Sequence, residues 1–169
     1  ARSEIREGVM IVTEQEFDRA VNTYGDTVKR ILLLYCRNQA DAEDCFQNVF
    51  MKLLLFRTNF ADGEHIKAWL IRVAMNEATD CNRKSWYRRV TLHSDTILPE
   101  TEAPSEDALA ALDALRSLPT KMRSVIYLHH CEGYSVEETA AILKIPAGTV
   151  KSRLNRARSA LKDVLEVEP

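Results

Sequence analysis

The chain has 169 residues, 46% of them hydrophobic and 28% charged, with a formal net charge of −2. That length holds one ordinary domain or two small ones and excludes a large multidomain enzyme, and the composition excludes a chain disordered throughout. With only 5 glycines and no G-x-G-x-x-G, G-x-x-x-x-G-K or G-x-S-x-G string, the phosphate-cradling loops and the nucleophile elbow are missing, and an enzymatic reading has little to stand on.

Apolar residues recur at spacings of three and four rather than two, which predicts helix nearly everywhere and an all-α fold. Thr13, with Glu16 three residues on, has the spacing of a capping box, and Phe17, Val21, Tyr24, Val28, Ile31, Leu32 and Tyr35 give the first helix one apolar stripe. The longest apolar run, Ile31 to Cys36, is far short of the roughly 20 residues a membrane span needs, and no apolar stretch with a cleavage site opens the chain. A cytoplasmic protein is therefore expected. A second helix is predicted to start near Asp41 as N-cap and to carry Cys45, Val49, Lys52 and Leu53. Residues 59–64, with Asp62 and Gly63, read as a turn. A third helix from about His65 runs through Ile66, Trp69, Leu70, Val73, Ala74 and Ala78 into the basic string RKSWYRR.

Charge is segregated behind the small net value. Arg83, Lys84, Arg88 and Arg89 lie together with no acid among them. From Thr91 to Leu115 there is no Lys or Arg, while Asp95, Glu100, Glu102, Glu106, Asp107 and Asp113 are acidic. From Lys144 to Lys162 there are again six cations and no acid. Two basic surfaces on separate helical units point towards nucleic acid more strongly than either one alone, since a single charge run is usually a solvated face. Trp86 and Tyr87 interleave with the first basic block, following Asn76 and Asp80 on the preceding turns. They suit base stacking on a single strand, and they equally suit packing into the core. Pro99 and Pro104, among Ser, Thr and acids, mark residues 91–106 as an extended or mobile linker. Two small helical domains result, 13–90 and 107–169.

After the linker, Leu109, Leu112, Leu115 and Leu118 lead to Pro119, and Met122, Val125, Ile126 and His129 form a further helical stripe that ends at Gly133. Ser135 and Glu138 make a second capping box, opening a helix with Val136, Thr139, Ala140 and Leu143 on one face. Pro146 disfavours helix at Ile145. Gly148 and Thr149 then start a last helix with Val150, Leu154, Ala157 and Leu161 at i, i+4, i+7 and i+11. Two short helices, a tight turn, small Ala140 at their crossing and a basic second member describe a helix-turn-helix. At about 100° per residue, Ser152, Asn155, Arg156 and Ser159 point away from the buried face, with Lys151, Arg153 and Arg158 on its flanks. Outward Arg and Asn are the types that pair bidentately with guanine and adenine edges, and flanking cations reach phosphates.

Cys36, Cys45, Cys81 and Cys131 show no C-x-x-C pairing and no tight cluster, so they read as reduced, mostly buried thiols. His129, His130 and Cys131 are adjacent, and neighbours on a helix diverge by about 100°, so they converge poorly on a metal. No metal and no cofactor is expected.

DAEDCFQNVFMKLLLF (from Asp41), followed by HIKAWLIRVAMNEATDCNRKSWYRR (from His65), resembles the second conserved region of bacterial RNA polymerase sigma factors. LRSLPTKMRSVIYLHHCEGYSVEETAAILKIPAGTVKSRLNRAR (from Leu115) resembles their fourth region, most specifically in IPAGTVKSRLNRAR. With only a short tether between the two, the chain resembles the extracytoplasmic-function (ECF) subfamily of the sigma-70 family. The resemblance implies a subunit, not an enzyme, that binds core RNA polymerase, recognises promoter DNA and promotes its opening. It implies a clamp-binding helix with Asp44, Gln47, Asn48 and Lys52. The minus-ten surface falls on Asn76, Asp80, Arg83, Lys84, Arg88 and Arg89, with a loop over residues 60–64, beginning at Phe60, that captures an extruded base. The minus-thirty-five surface falls on Glu137, Lys151, Ser152, Arg153, Asn155, Arg156 and Arg158. An anti-sigma partner is common in the subfamily. Asn48 stands where the family usually has a glutamate, Cys45-Phe46 replaces a more ordinary aliphatic pair, and residues 1–10 match nothing.

A free-standing helix-turn-helix repressor is the competing reading. Such a repressor needs a dimerisation face and a palindromic site, whereas a sigma factor needs two different DNA surfaces on one monomer. The two dissimilar basic blocks favour the latter.

Overall fold

The computed structural model describes residues 12–55, 60–88 and 106–167, and all of their regular structure is helical. The chain divides into two compact units, residues 1–98 and 99–169. The expected linker, apart from Glu106, lies outside the described residues, as do residues 1–11.

The first unit packs three helices, α1 (Glu14–Tyr35), α2 (Gln39–Leu55) and α3 (Gly63–Arg88). Helix α1 opens as its spacing predicts. The Glu16 N–H donates to Thr13 Oγ1 at 3.2 Å, and Glu16 Oε2 accepts from the Thr13 N–H at 2.8 Å. That backbone bond holds the Glu16 carboxyl below its ordinary value, so its contribution is present above the usual carboxylate range and is lost as pH falls through the folded value. The N-cap of helix α2 lies three residues before the expected one, at Asn38 and not at Asp41. Asn38 Oδ1 accepts from the Asp41 N–H at 2.8 Å, and Asn38 Nδ2 donates to Asp41 Oδ2 at 2.9 Å. Asp41 is thus a third-position partner of the cap. Asp62 caps α3 in the same way, accepting from the His65 N–H at 2.8 Å, which moves that start back to Gly63.

Val28, Ile31 and Leu32 of α1, Val49 and Leu53 of α2, and Leu70, Ile71 and Ala74 of α3 are fully or almost fully buried and form the core. Polar ties fix the register: Asn82 Nδ2 of α3 donates to Tyr35 O at the end of α1 at 2.6 Å, and Lys52 of α2 pairs with Glu77 of α3. The cysteines depart from the sequence reading, in which they are scattered. Cys36, Cys45 and Cys81 come from the end of α1, from α2 and from α3, and the Cys45 thiol makes side-chain hydrogen bonds with both others. All are free thiols. The bond to Cys36 and then burial push Cys45 far up, and burial first, then Cys45, pushes Cys81 up to about 12.

The second unit contains α4 (Glu106–Ser117), α5 (Thr120–Ile126), a π-helical turn (Tyr127–Cys131), α6 (Val136–Leu143) and α7 (Ala147–Val167). Glu106, assigned to the linker from sequence, is the first residue of α4. The stripe expected to run on as ordinary helix through His129 widens instead into the π turn, where the Glu132 N–H reaches back to Tyr127 O at 3.0 Å. The Arg123 guanidinium closes the end of α4, donating to Leu115 O at 3.1 Å, Arg116 O at 2.7 Å and Leu118 O at 2.9 Å. Leu118, Val125, Ile126, Ala140, Val150, Leu154 and Ala157 form the core.

Helix α6 has the expected cap, with the Glu138 N–H donating to Ser135 Oγ at 3.1 Å. It ends through Lys144, which adopts a left-handed conformation (φ 53°, ψ 48°). The Ile145 N–H donates to Ala140 O at 3.0 Å and the Lys144 N–H to Ala141 O at 3.3 Å, the paired bonds of a Schellman ending that usually employs glycine. Lys144 bears a Cβ penalty there. Lys144→Gly is expected to stabilise the second unit by about 0.5–1 kcal/mol, after subtracting the extra freedom glycine gives the unfolded chain. A rise in the urea midpoint at unchanged slope checks this.

Candidate nucleic-acid interface

On α3, Asn76, Asp80, Arg83 and Lys84 follow one another at intervals of four, three and one, so they share a stripe. Asn76, Arg83 and Lys84 are exposed. Arg83 Nη2 lies 3.1 Å from Asp80 Oδ1, so the acid aims the cation along the helix. Both side chains are largely in solvent, and such a pair is worth at most about 1 kcal/mol, leaving Arg83 able to exchange Asp80 for a phosphate. Arg88 is the last residue of α3. Its side chain, those of Trp86 and Tyr87, and all of Arg89 lie outside the described residues.

Phe60 stands before α3 with its ring edge-on to His65 at 5.4 Å and to Trp69 at 5.7 Å. Tyr24 of α1 donates its hydroxyl to Gly63 O at 2.9 Å. A Cβ at Gly63 would lie 2.6 Å from that hydroxyl oxygen, so any larger residue there would displace the tyrosine from its bond. The Ala61 N–H donates to His65 Nδ1 at 3.1 Å.

The exposed side of α2 has another character. Asp44, Gln47 and Asn48 are exposed, and among them stand Met51 and Leu55, 54% and 70% exposed. These two were missed from sequence. Their signal was present in MKLLLF, an apolar run too long for one buried stripe. Lys52, grouped with that face from sequence, lies at its edge and is held by Glu77.

In the second unit, α7 buries Val150, Leu154 and Ala157 and exposes Lys151, Asn155, Arg156 and Arg158. Arg153 is half-buried. Ser152 differs from its expected outward position: it is half-buried and its hydroxyl donates to Thr149 O at 3.1 Å, the local bond serine commonly makes inside a helix. Glu137 is exposed in the first turn of α6. Arg158 Nη2 lies 3.3 Å from His130 Nε2, and burial is the main cause holding the His130 pKa below its ordinary value. His129 Nδ1 lies 2.7 Å from Tyr134 O. Among the described residues no group of three or more His, Cys, Asp or Glu could hold a metal ion, and no helix is long and apolar enough to cross a membrane.

The class these features define is an all-helical DNA-binding protein with a helix-turn-helix in its second unit. Residues 20–88 match the model of Sigma-70 region 2 and residues 108–161 that of Sigma-70, region 4. The chain is 33% identical over 158 residues to the RNA polymerase sigma-E factor of Streptomyces avermitilis, covering 89% of this chain and 86% of that one. It is 30% identical to the ECF RNA polymerase sigma factor SigW of Bacillus subtilis, over 90% of each chain. Among solved structures it is similar to the sigma factor RpoE of Bartonella quintana, in complex there with the anti-sigma factor NepR, at a TM-score of 0.74 and 28% identity, covering 92% of this chain and 99% of that one. The chain belongs to the ECF subfamily of the sigma-70 family of RNA polymerase sigma factors. Its function is promoter recognition and transcription initiation with RNA polymerase, and the isolated repressor reading falls with the region 2 match.

Proposed function

We propose that the unit over residues 13–90 holds core polymerase and the minus-ten element, and that the unit over residues 107–169 reads the minus-thirty-five element. The observation that carries this division is the pair of unlike cationic faces, the α3 stripe and α7, on two separately packed units. Core polymerase seats on the α2 face of Asp44, Gln47 and Asn48, where Met51 and Leu55 supply the apolar contact and Lys52 the edge. The α3 stripe of Asn76, Arg83 and Lys84, with Asp80 steering Arg83, tracks the displaced strand, and residues 60–64, the loop before α3 together with its first two residues, receive an extruded base. Arg88 and Arg89 extend that stripe. In the second unit Asn155 and Arg156 face base edges, while Lys151, Arg153, Arg158 and the first turn of α6 at Glu137 position the helix, with Ser152 contributing from the side. The chain supplies specificity and no catalytic step, and it acts in the cytoplasm, with the polymerase. The anti-sigma complex of the Bartonella relative supports an anti-sigma factor as a further partner of this chain.

Run-off transcription with core polymerase and genomic fragments tests the reading. Specific transcripts should require both components, and tight binding of a palindromic duplex by the protein alone, without specific transcripts, would overturn it. Within the second unit, Arg156→Ala is expected to cost about 1–3 kcal/mol at one position of the upstream element and to relax preference there. Lys151→Ala should weaken all upstream sequences evenly. Binding titrations on a panel of altered upstream elements separate the two, and identical selectivity profiles would count against the groove assignment.

A further inference from the structure

We propose that His65 is a positioning residue for base capture, its unprotonated Nδ1 and its ring together setting the backbone and the aromatic wall of the loop that begins at Phe60. The inference rests on reading the loop 60–64 as the capture site. Asp62 is the N-cap of α3, which makes His65 the third helical residue. In a capping box that position carries Glu or Gln, whose side chain reaches back to a free N–H before the helix. Here the imidazole reaches one residue further back than the N-cap: the Ala61 N–H donates to His65 Nδ1 at 3.1 Å, while the His65 N–H donates to Asp62 Oδ1 at 2.8 Å. Ala61 and Asp62 are thereby clamped from both directions, and Tyr24 clamps Gly63 through its carbonyl at 2.9 Å.

The choice of histidine has a physical reason. Glutamate would cap equally well but would add a carboxylate, beside Asp62 and Glu64, on a surface that receives a polyanion. A neutral imidazole provides the acceptor without the charge. It also provides a ring, and Phe60, half-buried, sits edge-on between that ring and the buried Trp69 indole. An aromatic side chain fixed on two sides is a ready stacking partner for an unstacked base.

Two substitutions separate acceptor from ring. Asn places Oδ1 where His has Nδ1, so His65→Asn retains the acceptor, whereas His65→Phe retains a ring and loses it. The holoenzyme would be titrated with two single-stranded oligonucleotides copying the nontemplate minus-ten strand of a promoter mapped by run-off transcription. One is intact, and one is abasic at the captured position. His65→Phe is expected to bind the intact strand about tenfold more weakly, the scale of one stacked base, while binding the abasic strand as the parent does. His65→Asn should recover more than half of that loss on a logarithmic scale. Equal affinity of His65→Phe and parent for the intact strand would overturn the proposal, as would a loss of the same size on both strands. Phe60→Ala distinguishes the failures. If Phe60→Ala loses base-dependent binding and His65→Phe does not, the role of His65 is wrong and the loop assignment stands. If neither does, both fall.

Discussion

Neutralising Arg83 and Lys84 together is expected to leave core binding and upstream-element binding nearly intact and to impair open-complex formation. The two are exposed neighbours on one stripe of α3, on a different helix from the α2 face that carries Met51 and Leu55. Binding of a single strand falls with salt at a logarithmic slope of about 0.7 per phosphate neutralised, so removing two cations should lower the slope by about 1.4. Carried from 1 M to physiological salt, that slope corresponds to about a tenfold loss of affinity for the displaced strand. Extruding and unstacking a base costs a few kcal/mol, which the held strand must offset, so opening suffers more than closed-complex binding. A template with a pre-melted, mismatched bubble should restore much of the transcription by the double variant. Failure of that variant to bind core polymerase would instead assign these cations to the protein interface and redraw the division of the first unit.

The second large effect is on stability. Arg123→Ala removes donors from three carbonyls at the end of α4, all within 3.1 Å of the guanidinium. Each charge-assisted bond is worth about 1.5–3 kcal/mol in isolation; the three share one ion and are not additive, and the expected total is about 2–4 kcal/mol. A unit of this size has about 3–9 kcal/mol to lose, so the variant should sit near its unfolding threshold at growth temperature. Arg123→Lys should recover less than half, because an ammonium is a point charge and cannot present the planar fork. Both tryptophans, Trp69 and Trp86, lie in the first unit, so indole fluorescence will report little. Hydrogen exchange of the α5 and α7 amides is the direct measurement, and protection equal to that of the parent would show that the carbonyls find other partners.

Elements whose cause is local were legible in the sequence. The boxes at Thr13 and Ser135 need only a hydroxyl and a glutamate three residues apart, and the buried stripe of α7 needs only its period. Features that depend on reach across space were not. Arg123 reads as one more cation beside the Met122, Val125 and Ile126 stripe until the end of α4 is placed next to it. The meeting of Cys36, Cys45 and Cys81 depends on how three helices cross. The cap of α2 could have been foreseen, since asparagine is as good a cap as aspartate and Asn38 precedes Asp41 at box spacing. The π turn escaped because Val125, Ile126 and His129 satisfy an ordinary helical period equally well. The polar face of α7 followed from periodicity, but the faces of α2 and α3, and the partners of all three, came from the resemblance to a family, since periodicity shows which face is exposed and never what it meets.

The unequal settings of the cysteines give the chain a built-in chemical handle. Cys36 and Cys45 are buried, and Cys81 is half-buried with its thiol held protonated, whereas Cys131 is exposed at the end of the π turn. A maleimide dye at neutral pH should therefore attach to Cys131 far faster than to the other three, as peptide mapping after brief labelling would show. Cys131 adjoins His130, and His130 touches Arg158 on the outer side of α7. A fluorophore installed there without any engineered substitution would sit within a few side chains of α7, the helix proposed to read the upstream element, and its emission should time the arrival of upstream DNA separately from the strand opening proposed for the other unit.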